Sequence, residues 1–252
     1  MTVHLRPSTC LIMKKLISVT LIITFFGTFL TAQYHPYRGF VEERAVKSFT
    51  ELEVSGYFNI YLRQGDTTLV EIASMGVPLH EVNVYNSGNR LVIDRDRQWT
   101  FGKLRRVDIY LQVVDLERIE MDGVGNIYSE ELLTFHRLEV ECSGVGKAFL
   151  ELDVVELDIE MDGLGGIVLR GNAEQAYIEN TGVGKVDAYD LKTQFVDVEN
   201  TSIGSVWVYA EEELLVESNG IGSVHIRGEA EVKRMDVSGL GRVYYERRRF
   251  RS

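Results

Sequence analysis

A glycine corner recurs seven times in this chain. Its copies are Gly123-Val124-Gly125, Gly144-Val145-Gly146, Gly163-Leu164-Gly165, Gly182-Val183-Gly184, Ser202-Ile203-Gly204, Gly220-Ile221-Gly222 and Gly239-Leu240-Gly241, set 18 to 21 residues apart. A period of that length marks a solenoid, in which each repeat is one coil resting on the last. It constrains the architecture closely and the function hardly at all, because a stack of coils is a scaffold for many chemistries.

Aligned on the first glycine, the copies sort into columns. Four residues earlier stand Ile119, Val140, Ile159, Ile178, Val198, Val216 and Met235, and four residues later Ile127, Ala148, Ile167, Val186, Val206, Val224 and Val243. With the residue between the glycines (Val124, Val145, Leu164, Val183, Ile203, Ile221, Leu240) these are expected to form three core columns. Around them polarity alternates with period two, as in Leu157-Asp158-Ile159-Glu160, so each coil reads as strand, corner, strand and looser turn. No helical period competes with this over residues 116–245. The glycines are expected to supply positive φ at a tight corner. Ser202 is the one departure and would be a strained non-glycine.

Charge narrows the partners. A net charge of -11 and a pI near 5.0 argue against nucleic acid and anionic membrane, both of which need a basic stripe. The only basic run, Arg247-Arg248-Arg249-Phe250-Arg251, reads as a solvated tail (residues 248–252) guarding the last strand edge. At the other end, Lys14-Lys15, the apolar stretch Leu16 to Leu30 and Thr31-Ala32-Gln33 have the three regions of a secretory signal peptide, residues 1–32, with Met13 as a plausible true start. The competing reading is a retained anchor, for which the apolar run falls short of the ~20 residues a spanning helix needs. Cleavage after Ala32 would leave no transmembrane span. It would also leave Cys142 as the sole cysteine, in a column with Met121 and Met161 that suits an inert thiol. The chain is then expected in the periplasm, on the outer surface or secreted.

Beyond a short segment at 33–37, residues 38–247 read as one domain, with irregular first coils and a cap at 38–115 and regular coils at 116–247. Leu52 to Leu62 has the form of one coil with Gly56 at its corner, and Gly65-Asp66 closes it. Strands are expected at Leu69 to Ala73, Val82 to Tyr85, Leu91 to Asp94 and Val107 to Val113, with a loop from Gln98 to Arg106.

The order of signal peptide, Val54-Ser55-Gly56-Tyr57-Phe58-Asn59-Ile60, Gln64-Gly65-Asp66, Asn89-Arg90-Leu91-Val92-Ile93 and tandem Gly-x-Gly corners resembles the head GIN domain family of autotransporter adhesin heads, over about Arg38 to Arg247. The resemblance implies an all-β, right-handed parallel β-helix of pectin-lyase-like shape, with about 19–20 residues per coil, exported by a bacterium for adhesion. It carries over no catalytic residues.

Two outward columns are candidates for chemistry. Three residues before each corner runs an acidic ladder, Glu120, Glu141, Glu160, Glu179, Glu199, Glu217 and Asp236. At a coil spacing of ~4.8 Å each neighbouring pair repels by about 0.9 kcal/mol in water. It reads either as a weak linear cation site, with Ca²⁺ the candidate, or as a solvated face relieved at its ends by Arg118 and Arg234. Just after the second core column an aromatic strip is expected from Tyr128, Phe149, Trp207 and Tyr244, with Tyr189 and Tyr209 nearby, as a binding or oligomer surface or as cross-rung packing. Catalysis finds little support. The five histidines share no column, and Asp122 and Asp162 lie in a column continued by Ser143, Thr181, Thr201, Asn219 and Ser238, which are turn formers expected to bond local backbone. No cofactor is expected. The function expected is a non-enzymatic surface or envelope module whose partner is a glycan, a cell-surface protein or a second copy. The alternatives are a carbohydrate-active enzyme of pectin-lyase-like shape and a purely structural envelope protein.

Overall fold

A computed structural model describes residues 40–74, 78–95 and 107–246. The signal segment, the 33–37 stretch, the 98–106 loop and the basic tail lie outside the described residues.

The columns read from the sequence are the rungs of a parallel β-helix. Leu133–Cys142, Val145–Met161, Leu164–Asn180, Lys185–Asn200 and Val206–Ser218 stack in parallel, with Val140, Ile159, Ile178, Val198, Val216 and Met235 in one register and Ala148, Ile167, Val186, Val206, Val224 and Val243 in another. Before the final coil every member of both columns is at most 1 % exposed. Parallel strands buried in this way need β-branched and aliphatic side chains at alternate positions, and the sequence supplies them. The looser turn expected in each coil is absent between Val145 and Asn200. There the strand runs unbroken through 16 or 17 residues and bends around the core. Register shifts at Val168/Arg170, Ala188/Lys192 and Thr193/Phe195 absorb the unequal repeat lengths, as bulges do.

The third expected core column is not buried. Val124, Val145, Leu164, Val183, Ile203, Ile221 and Leu240 are 43 to 82 % exposed. Alternation holds only along a straight strand. Where the chain turns the corner, the residue before the first glycine and the residue between the glycines both face outward, and the inward phase resumes at Ile127 and its equivalents.

The corner glycines are also required for a different reason from the one expected. Only Gly125 and Gly165 among them have φ in the range that favours glycine, at 148° and 152°, and among the described residues no non-glycine has positive φ. The common requirement is close stacking. A Cβ on Gly204 would lie 1.5 Å from the carbonyl oxygen of Gly184, and one on Gly146 would lie 1.6 Å from that of Gly125. Apart from Gly184, whose Cβ would first meet the Met161 methyl, every corner glycine sits so near the previous coil that a side chain would occupy the backbone beneath it.

The first coils are interleaved. Glu51–Ser55 and Tyr57–Gln64, turning at Gly56, pair on one side with Arg90–Arg95 and Val107–Val113 and on the other with Arg118–Met121 and Val124–Ser129. The earliest coil in sequence therefore lies between two later ones. Antiparallel strands close that end: Leu69–Ser74 lies on Val107–Val113 with Phe40–Arg44 beyond it, and Val82–Ser87 lies on Arg90–Arg95. The opposite end is open among the described residues, leaving Met235 38 % and Val237 43 % exposed at the last coil.

Candidate functional site

Three outward features and one inward feature follow from the stacking. The inward one lies two residues before the corners, where Met121, Cys142 and Met161 give way to Asn180, Asn200 and Ser218, all buried. Asn180 Nδ2 donates to Asn200 Oδ1 at 3.2 Å and to Ser202 Oγ at 2.8 Å, the Ser202 hydroxyl donates to Asn200 Oδ1 at 2.7 Å, and Asn200 Nδ2 donates to the Gly222 carbonyl at 3.3 Å. Ser202 is thus no strained exception. It is a buried hydroxyl completing an amide network where other coils place methionine under a glycine. Cys142 is buried, and burial pushes its thiol up to about 12, so the thiolate nucleophile is suppressed.

The aromatic column is longer than expected and is broken in the middle. Tyr110, Tyr61, Tyr128 and Phe149 stack face to face at centroid distances of 4.8, 5.2 and 5.3 Å. Trp207, His225 and Tyr244 stack at 5.0 and 4.8 Å. Between Phe149 and Trp207 the same register holds Val168 and Asp187. Tyr61 stands five residues after Gly56 and His225 five after Gly220, the offset of Tyr128 from Gly123, so both were legible. Tyr189 lies two residues beyond the ladder position Asp187, inside the Ala188/Lys192 register shift, and stacks under Arg227 at 4.3 Å. Burial pushes its phenol up to about 12, with the Glu246 charge adding to the effect. Tyr209 lies two residues beyond Trp207, outward between buried Val208 and Ala210, and its hydroxyl meets Glu211 at 3.1 Å.

The acidic ladder gains Glu53 in register with Glu120, three residues before Gly56. Its ends are relieved by arginine. Arg90 bonds Glu51 and Glu53, Arg118 bonds Glu139 and Glu141, and Arg234 lies 3.6 Å from Glu217 and 4.0 Å from Asp236. Among the described residues no three carboxylate, histidine or cysteine side chains converge to hold a metal ion. Mid-ladder, burial and then the Glu141 and Glu179 charges raise the Glu160 carboxyl above its usual 4.5. Burial and Glu139 raise that of Asp158. A raised folded-state value means that the folded chain binds the proton more tightly. The stabilisation is complete below the unfolded value and is lost as pH rises through the folded one. Glu160→Gln is accordingly expected to raise the thermal midpoint at pH 7 and to weaken its fall as pH rises from the ordinary carboxylate value of 4.5 toward neutrality, read by circular dichroism melts.

Next to this ladder lies a shallow groove of about 310 Å³, walled by Tyr177 and Phe195 with Asp158 and Asp197 on adjoining rungs. Asp122 and Asp162 do not bond local backbone as expected. They accept from the next coil's Ser143 at 3.4 Å and Thr181 at 3.0 Å.

The profile described as "Putative auto-transporter adhesin, head GIN domain" matches residues 48–230. The chain belongs to the head GIN domain family. Solved structures similar to this head GIN chain include a "putative adhesin" of Bacteroides fragilis, 24 % identical, covering 82 % of this chain and 96 % of its own, with a TM-score of 0.79. A "putative adhesin" of Parabacteroides distasonis is 20 % identical over the same shares, at a TM-score of 0.65. A "putative lipid binding protein" of the same organism is 15 % identical, again over 82 % and 96 %, at 0.62. At such identities the likeness is one of fold. No curated protein matches the chain. Among the described residues of this head GIN chain, no helix is long and apolar enough to cross a membrane.

Proposed function

We propose that this chain is an exported, non-enzymatic adhesin head that takes a glycan on its aromatic face. The observation that carries this reading is the break in the aromatic ladder. Inside each stack the ring faces are spent on one another. At the break Phe149 turns its outer face toward Trp207 across three rungs, roughly 14 Å, and the outer face of Trp207 is met by the Lys185 ammonium. The floor of this notch is Val168 and Asp187, and Lys185 Nζ lies 3.5 Å from the Asp187 carboxylate and 5.3 Å from the Trp207 ring centroid. Aromatic walls with one ion pair between them suit a pyranose, whose C–H faces pack on rings while its hydroxyls bond charged groups.

The test is binding of the purified chain to a glycan array and to cell surfaces. Replacing Trp207 and Tyr209 together by serine removes two outward rings and no core contact, so the melt should be unchanged and binding should fall at least tenfold, or about 1.4 kcal/mol. Equal binding by the double variant overturns the reading. Asp158 and Asp197, flanking Tyr177 in the groove, are the carboxylates an enzymatic alternative would use. A reducing-sugar assay is expected to stay at background, and product formation lost in Asp158→Asn would establish that alternative instead.

A further inference from the structure

We infer that the corner ridge is a self-association surface, through which two copies of this chain pack side by side with their solenoid axes parallel. The seven apolar side chains from Val124 to Leu240 form one row, the first three paired in strand register and each later one tied by its backbone N–H to the first corner position of the coil before. With exposures of 43 to 82 % they leave several hundred Å² uncovered, backbone included, which approaches the ~800 Å² one partner gives a standard interface. The occupant that fits a straight row of branched side chains at coil spacing is a second row with the same spacing, and the chain itself carries one.

Charge beside the ridge selects the arrangement. One flank, immediately before the corners, carries Asp122 and Asp162, while the other, immediately after them, carries Lys147. All three are exposed. Two ridges can meet about a twofold axis in two ways. With the axis perpendicular to the solenoids, acidic flank meets acidic flank. With the axis parallel to them, the acidic flank of each copy meets the basic flank of the other at equal height. Lys147 of the second copy then falls between Asp122 and Asp162, one rung from each, or about 4.8 Å along the axis. The overall charge of -11 opposes any association, so the dimer tightens as salt screens the long-range repulsion while the aliphatic contact persists. This inference is independent of the glycan notch, which lies on another face.

The experiment is sedimentation equilibrium of the compact unit Arg38–Ser252 between about 1 and about 100 μM. A concentration-dependent dimer is expected. Leu164→Asn with Val183→Asn should weaken it at least a hundredfold without moving the melt. Lys147→Asp alone should weaken it at least tenfold, and adding Asp122→Lys with Asp162→Lys should restore it. A monomer throughout the range overturns the inference, as does a dimer indifferent to the ridge pair. Failure of the charge swap to restore association overturns the parallel arrangement. Ridge-dependent binding to phosphatidylcholine vesicles by a chain that stays monomeric would make the surface a lipid contact and defeat the proposal.

Discussion

Gly204→Val is expected to cost at least ~3 kcal/mol and to abolish the cooperative thermal transition near physiological temperature. The cause is backbone meeting side chain. A Cβ at this position would stand 1.5 Å from the Gly184 carbonyl oxygen and 2.5 Å from its carbon, atoms fixed by the rung hydrogen bonds of two coils. Relief requires the coils to separate locally, and those bonds go with them. Gly184 gives the internal control. Its Cβ would first meet the Met161 methyl at 2.3 Å, and the nearest backbone atom is 3.1 Å away. A flexible thioether can move, so Gly184→Ala should cost well under half as much, and Met161→Ala in the same chain should recover part of the loss. Urea titrations of the four proteins decide it. Equal midpoints for Gly204→Val and wild type would remove close stacking as the reason for these glycines.

Asn200→Leu should destabilise by about 3 kcal/mol, because it breaks a buried network while leaving its other members in place. The Asn180 amide and the Ser202 hydroxyl lose their shared acceptor, and the Gly222 carbonyl loses a donor. The coils toward the N-terminus solve the same packing problem without polar groups, with Met121, Cys142 and Met161 in the column and glycine at every corner. Substituting Asn180→Met, Asn200→Met and Ser202→Gly together should therefore recover most of that loss, since the side-chain partners leave together and only the carbonyls of Gly184, Gly204 and Gly222 lose a donor. A triple variant as unstable as the single one would mean that the amides contribute more than mutual satisfaction.

The strand columns flanking each corner were legible because period-two burial survives wherever a strand is straight. The corner residue was not, since turning the chain shifts the phase. Val183 sits beside glycine in the sequence whether it points in or out, and only the path of the backbone tells which. Likewise, the sequence marks where a Cβ is forbidden without saying whether torsion or a neighbouring coil forbids it. Gly204 needs the coordinates of Gly184. The acidic ladder was visible in full except for Glu53, which keeps the same offset from Gly56 as Glu120 from Gly123. The aromatic positions were visible too, but not the break at Val168 and Asp187 as a feature in itself. A column tabulated residue by residue shows what occupies each rung and not which ring faces remain free.

The interleaved coil at Gly56 sets how such a chain can change its length. Downstream of Gly144 every coil rests on its immediate predecessor, so removing residues 145–163 would join Gly144 to Leu164 and leave each vertical row continuous. Duplicating that unit would lengthen the rod just as simply. Upstream no such excision exists, because the strands touching Glu51–Gln64 on either side, Arg90–Arg95 with Val107–Val113 and Arg118–Met121 with Val124–Ser129, arrive only after it in the chain. Extension and trimming are therefore confined to the coils downstream of Gly144, and a chain folding from its N-terminus must wait for Arg90–Arg95 and Val107–Val113 before its first coil has a neighbour to rest upon.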